Sequence, residues 1–67
     1  MSRQDAFVQG FACAVATMAR SHGHNTEHKE ALISCGLTNV DILMRHHVDD
    51  FDIEALLPIL EEIEAAQ

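Results

Sequence analysis

The sequence predicts an all-α fold, in which a single domain of residues 1–67 forms a small bundle of four helices. Apolar residues recur at spacings of three and four along most of the chain, which is the period of an amphipathic helix. Residues that commonly begin and end helices divide this pattern into four parts. No segment shows the alternation typical of a strand. We place the helices at about residues 3–20, 26–35, 39–46 and 53–65.

The first helix contains the most apolar segment of the chain, Ala6 to Ala19. Ser2 is placed as its N-cap, with Asp5 three residues later as in a capping box. At 100° per residue, one side carries larger apolar residues and is predicted to face the core: Phe7, Val8, Phe11, Ala14, Val15 and Met18. We expect the rest of the chain to pack against this helix.

The opposite side of the first helix carries small residues where charged ones are usual: Ala6, Gly10, Cys13 and Thr17. Small residues allow a second helix to approach closely, and a chain of 67 residues buries only a small core by itself. We therefore predict a homodimer, in which the first helix meets its symmetry mate, or the mate's fourth helix, across this stripe. In the alternative, the second or fourth helix of the same chain covers the stripe.

The second and third helices are short and have recognisable ends. Asn25 or Thr26 is predicted to be the N-cap of the second helix. Gly36 is predicted to end this helix in a Schellman motif, in which Leu37 packs back on the helix. Thr38 is placed as the N-cap of the third helix. That helix is predicted to bury three apolar residues: Val40, Leu43 and Met44.

The fourth helix is predicted to begin after an Asp52 N-cap, with Phe51 tucked under the core as the hydrophobic residue that precedes the cap. Its apolar residues form one wide stripe: Ile53, Leu56, Leu57, Leu60 and Ile63. Pro58 falls on the polar side. A proline there can bend the helix around the core without leaving a buried defect.

The net charge of −7 is concentrated at the end of the chain. Residues 1–48 are balanced, whereas residues 49–67 contain seven acidic residues and no Lys or Arg. This distribution disfavours direct binding to nucleic acid or to an anionic membrane. We predict instead a partner protein with a basic surface, contacted by four acidic residues: Asp49, Asp50, Glu61 and Glu62.

The histidines are the strongest candidates for metal ligands. His22, His24 and His28 lie close together in the sequence, and His46 and His47 end the third helix. The spacings that identify zinc motifs are absent, so solvated or capping histidines are the main interpretation. A small zinc-binding module that uses His22, His24 and His28 is the alternative.

The two cysteines are predicted to be reduced thiols, because they lie in helices of a chain that lacks a dense cysteine framework. Cys13, on an apolar helix, is expected to be buried and unsuited to nucleophilic catalysis. A chain of this size also rarely supplies a catalytic pocket alone. We therefore expect no enzymatic activity and no cofactor.

Two further interpretations concern location and DNA binding. Ala14-Val15-Ala16 has the form of a leader cleavage site, but polar residues interrupt the apolar segment before it, so we expect a cytoplasmic protein without a leader.

The second and third helices have the order of a helix-turn-helix, which makes a small transcriptional regulator another alternative. The third helix has one Arg, Arg45, together with an internal Asp41, and an acidic helix follows it, which disfavours DNA recognition.

Three segments, GFACAVATMARSHG, CGLT and DDFDIEALLPILEE, together resemble short proteins encoded by bacteriophages and prophages. In those proteins an Ala-rich first helix precedes an acidic, Leu-rich last helix. The resemblance implies a setting in which small acidic proteins bind and inhibit or redirect a host protein, as anti-CRISPR and DNA-mimic inhibitors do. It assigns no site residues.

Overall fold

The computed structural model describes residues 2–23 and 25–66, and this part of the chain forms four α-helices without a strand. The predicted all-α fold with four helices is therefore confirmed. The helices run over α1 (Arg3–His22), α2 (Thr26–Ser34), α3 (Val40–Arg45) and α4 (Asp50–Ala65).

Polar side chains cap the first turns of the helices. The hydroxyl of Ser2 accepts a hydrogen bond of 3.0 Å from the Asp5 amide at the start of α1, as predicted. Asn25 caps α2 in the same way and accepts from the His28 amide at 3.0 Å. Each side chain satisfies one of the amides that a first helical turn leaves unpaired.

Two predicted caps were wrong. Asn39, and not Thr38, caps α3, and Asp49, and not Asp52, caps α4. In both places neighbouring polar residues can serve as the N-cap, and local sequence does not distinguish them. Because α4 begins earlier than predicted, Asp52 lies inside its first turn, where it is free to pair with another helix.

The end of α2 is the predicted Schellman motif. The Leu37 amide donates to the Leu32 carbonyl at 2.9 Å, and the Gly36 amide donates to the Ile33 carbonyl at 3.0 Å. Gly36 has a φ of 73°, which a glycine adopts without steric cost. Leu37 is buried against the core, and this contact fixes the direction of the chain toward α3.

The core is organised around α4, and not around α1 as we expected, because α1, α2 and α3 all pack against α4. The predicted stripe of α4 is largely confirmed, with four of its five residues buried: Ile53, Leu56, Leu60 and Ile63. Leu57 is 37% exposed and Ile59 is buried in its place. Pro58 is exposed, as predicted.

The inward side of α1 differs from the predicted side. Its buried residues are Val8, Ala12, Val15 and Ala16, while Phe11 is only partly buried. Phe7 is 59% exposed, Met18 is 43% exposed, and Ala14 also faces solvent. Small residues at the helix contact let the backbones approach closely. The prediction was wrong because it assumed that the larger apolar side chains face the core.

Two other apolar residues expected in the core are exposed. Met44 is 58% exposed on α3, and Phe51 is 62% exposed in the first turn of α4. Phe51 does not precede the helix, because α4 already begins at Asp50. Val40 is partly buried and Leu43 is completely buried, as predicted for α3.

Candidate interaction surfaces

The outward side of α4 carries a row of exposed acidic side chains, which we call the acidic surface: Asp50, Glu54, Glu61 and Glu64. At 100° per residue these four positions lie within about 80° of one another. Asp50 and Glu61 are separated along the helix axis by roughly 16 Å. The acidic surface is therefore a strip along α4 and not a compact cluster.

The predicted partner-binding residues Asp49, Asp50, Glu61 and Glu62 are all exposed. Asp49 has a structural role as well, because its carboxylate accepts a hydrogen bond of 2.9 Å from the Phe51 amide. Glu54 and Glu64 were missing from the predicted set, although both lie on the same side of α4 as Glu61. The seven-residue spacing of Glu54 and Glu61, two helical turns, was the signal that could have identified Glu54.

A second acidic group, the Asp52 carboxylate, is buried and paired across the fold. Its Oδ1 atom lies 3.3 Å from Nη1 of Arg20 at the end of α1. The Arg20 guanidinium also lies 4.2 Å from the centre of the Phe51 ring, a cation–π contact. These contacts join the last turn of α1 to the first turn of α4 and border an open depression of about 200 Å³, lined by Arg20, Phe51, Glu54 and Ala55.

The other end of α1 is held by a second polar contact. Nδ1 of His46 lies 2.8 Å from Oδ1 of Asp5, and the Gln9 side-chain amide donates to the His46 carbonyl at 2.9 Å. The hydrogen bond with His46 is the largest cause that lowers the pKa of Asp5 below its ordinary value of 3.8. The contacts of His46 with Asp5 and Gln9 join the end of α3 to the first half of α1, and the spacing of these residues in the sequence did not predict them.

The predicted dimer residues Ala6, Gly10, Cys13 and Thr17 all lie on the exposed side of α1. A Cβ atom added at Gly10 would meet no atom within 4 Å, so no other helix in the described part of the chain covers this stripe. The alternative in which α2 or α4 of the same chain covers it is therefore wrong. Cys13 is exposed, which corrects the expectation of a buried thiol.

Larger apolar residues continue this exposed surface, which we call the α1 outer face: Ala6, Phe7, Gly10, Cys13, Ala14, Thr17 and Met18. The Phe7 ring stacks on the Phe11 ring with a centroid separation of 5.9 Å. The Thr17 hydroxyl donates to the Cys13 carbonyl at 2.8 Å, so its polarity is satisfied within the helix. Prediction from sequence placed Phe7, Ala14 and Met18 in the core and so missed them here.

The histidines lie in different environments. His22 is exposed at the end of α1, His28 is buried in α2, and His24 lies outside the described residues. Nδ1 of His28 has no hydrogen-bond partner in the described structure. Among residues 2–23 and 25–66, no three His, Cys, Asp or Glu side chains come close enough together to hold a metal ion.

No helix in the described ranges has the length and apolar character needed to cross a membrane. No protein-family model matches the chain, and searches of curated proteins and of solved structures found no similar protein.

Proposed function

We propose that this protein is a non-enzymatic interaction module that binds a partner protein with a basic surface through the acidic surface of α4. Following the resemblance to small phage and prophage proteins, the proposed partner is a host protein that is inhibited or redirected by binding. The support comes from the position of the acidic residues on α4.

The observation that carries this proposal is the charge at the end of α4. Glu61 and Glu64 are exposed near the carboxyl end of the helix, and the last turn contains no basic residue. The helix dipole is negative at that end, so acidic side chains there reduce helix stability. Like charges three residues apart add a further small cost. Helix stability therefore does not account for these residues, and binding to a basic surface would.

The shape of the acidic surface favours a particular kind of partner. A strip of carboxylates along a helix is complementary to a row of Lys or Arg side chains, such as one face of a basic helix or a nucleic-acid-binding groove. Charges at the edge of an interface mainly increase the association rate and make it depend on salt. We expect fast, salt-sensitive association as the signature of this function.

The first prediction tests the acidic surface with the double variant Glu61→Gln/Glu64→Gln. Because the two carboxylates oppose the helix dipole, the variant should be slightly more stable, by about 0.3–1 kcal/mol. It should nevertheless associate several-fold more slowly with a partner captured from a bacterial lysate. Urea denaturation followed by circular dichroism measures stability, and stopped-flow or surface-based kinetics measures association.

The matched control is Glu27→Gln/Glu30→Gln, which changes the net charge equally at two exposed positions of α2. This control should leave the association rate close to that of the parent protein. Equal slowing by both double variants would show that only net charge matters. An unchanged association rate for Glu61→Gln/Glu64→Gln would show that these carboxylates only face solvent and take no part in binding.

A further inference from the structure

The depression between the end of α1 and the start of α4, which we call the α1–α4 depression, has walls of unlike chemistry. Arg20 comes from the last turn of α1, while Phe51, Glu54 and Ala55 come from the first two turns of α4. The Phe51 side chain is 62% exposed, although burial is the usual source of stability from a phenyl ring. The Glu54 side chain is exposed beside it. The depression therefore presents an apolar surface next to a carboxylate.

The Arg20 wall of the α1–α4 depression is held in place, and its charge is compensated. Nη1 of Arg20 lies 3.3 Å from Oδ1 of the buried Asp52, and Nη2 donates to the Thr17 hydroxyl at 3.4 Å. The guanidinium also lies 4.2 Å from the centre of the Phe51 ring. A partly buried ion pair is screened less by salt than an exposed one, so Asp52 neutralises most of the field of Arg20. Arg20 therefore positions the Phe51 ring without making the depression positive.

The remaining charge at the α1–α4 depression is negative. Glu54 lines it, and Asp50 lies one turn earlier on the same side of α4, at the four-residue spacing that makes helix positions neighbours. Among residues 2–23 and 25–66, no Lys or Arg side chain pairs with either carboxylate. The positive end of the α4 dipole amounts to about half a charge, which is less than these two carboxylates supply. The depression therefore attracts a cation and repels an anion.

The volume of the α1–α4 depression limits the size of its occupant. It holds about 200 Å³, whereas sites for small-molecule ligands usually occupy roughly 300–1,000 Å³. One long side chain is a better match to this space. Lys and Arg side chains lay an apolar stem along apolar surface and keep the charged end beside a polar group. Phe51 and Ala55 can contact such a stem while the Glu54 carboxylate accepts hydrogen bonds from its charged end.

We propose that the α1–α4 depression binds one Lys or Arg side chain of the partner protein. This inference rests on the proposed function, because it names the place on the acidic surface that holds the partner's basic surface. Large side chains that become buried at the centre of an interface contribute most of its affinity, whereas charges at its edge mainly increase the association rate. Phe51 is the anchor of the interface in this arrangement, and Glu61 and Glu64 act in the approach of the partner.

The test is a titration of the full chain with N-acetyl-lysine N-methylamide, followed by ¹H–¹⁵N NMR at about 0.15 M salt, where the Debye length is about 8 Å. A probe of this size should bind with a dissociation constant on the order of 1–10 mM. The amide signals of Phe51, Glu54 and Ala55 should shift most. N-acetyl-norleucine N-methylamide, which has the stem without the ammonium group, should bind about threefold more weakly or worse. Sodium acetate should leave these signals in place, and acetate binding there would overturn the proposal by showing an anion site.

Two pairs of variants separate the α1–α4 depression from the rest of α4. Glu54→Gln should weaken binding of the lysine probe about threefold or more, and Glu61→Gln clearly less, because Glu61 lies about 10 Å farther along the helix. Phe51→Ala should weaken it to a similar extent, whereas Leu57→Ala, at another exposed apolar position of α4, should have little effect. Circular dichroism checks that each variant keeps its helicity.

The outcomes distinguish this inference from the proposed function. Equal weakening by Glu54→Gln and Glu61→Gln would overturn the depression as the binding site while leaving a general attraction of cations to the acidic surface. Unchanged binding by Phe51→Ala, or no shift of the three amide signals in the parent protein, would also overturn it. The association kinetics of Glu61→Gln/Glu64→Gln with a captured partner test the proposed function separately, because neither residue lines the depression.

Discussion

At the residue scale, His47 has the least expected conformation in the described chain. Its φ is 62°, close to that of Gly36, although it carries a full side chain. The Val48 amide donates to the Leu43 carbonyl and the His47 amide donates to the Met44 carbonyl, each at 3.0 Å. This is a second Schellman motif, with Val48 buried in the position that Leu37 occupies after α2. Sequence reasoning missed it because glycine is the usual signal for this motif.

The second prediction follows from the steric cost at His47. The left-handed region costs a residue with a Cβ about 1–2 kcal/mol, and the larger backbone entropy of glycine in the unfolded chain offsets part of this. His47→Gly should therefore raise the free energy of unfolding by about 0.5–1 kcal/mol. Urea denaturation followed by circular dichroism measures the change.

His22→Gly is the control for this substitution, because His22 is exposed and lies in a helical turn. There the same change should lower stability, by up to about 1 kcal/mol. A destabilised His47→Gly variant would show that the His47 side chain makes a stabilising contact that outweighs its backbone cost.

At the element scale, the sequence predicted helix existence well and helix orientation less well. Large aliphatic residues define the inward side of α4, so its rotation about its axis was predictable from Leu56, Leu60 and Ile63. In α1 the pattern is ambiguous, because apolar residues surround almost the whole helix. Completely buried Ala12 and Ala16 then determine the rotation. Their role depends on the shape of the neighbouring helix, which no local pattern encodes.

The third prediction compares two leucines of α4 that differ in burial. Leu60 is 2% exposed, so Leu60→Ala should lose about 2–5 kcal/mol of unfolding free energy, as buried truncations do. Leu57 is 37% exposed, and Leu57→Ala should cost clearly less, about 1 kcal/mol or below. Chemical denaturation of the two variants tests the rotation of α4, and equal losses would contradict it.

At the scale of the whole molecule, α1 is held in place by polar contacts at both of its ends. Arg20 and Asp52 join its last turn to α4, while Asp5 and His46 join its first turn to α3. The chain has a radius of gyration of 10.8 Å, close to the value of about 10.9 Å expected for a compact domain of this length. Neither contact could be predicted, because each joins residues more than thirty positions apart and depends on the packed arrangement of the helices.

The fourth prediction concerns the acid sensitivity of the Asp5 contact. Because the pKa of Asp5 is lowered in the folded state, its contribution to stability is present above pH 3.8 and is lost as the pH falls through the folded pKa. Asp5→Asn should therefore destabilise the protein most above about pH 5, with a difference that shrinks toward pH 2–3. Urea denaturation of both proteins across this range measures the difference.

A His46→Gln background provides the control for the pH effect. The charged form of His46 is absent in that background and its hydrogen bond to Asp5 is replaced at best by one from a neutral amide, so Asp5→Asn should show a weaker dependence on pH. The same pH dependence with and without His46 would assign the effect to the hydrogen bonds that Ser2 makes with the Asp5 carboxylate instead.

The complete burial of Ala12 and Ala16 has a consequence for the evolution of this chain. Neither position has space for a larger side chain, whereas the exposed positions Cys13, Ala14 and Thr17 can change without disturbing the core. The outward residues of α1 can therefore diverge while these two positions stay small. A distant homologue would then be recognised by two small residues four positions apart in its first helix, followed by a Leu- and Ile-rich last helix.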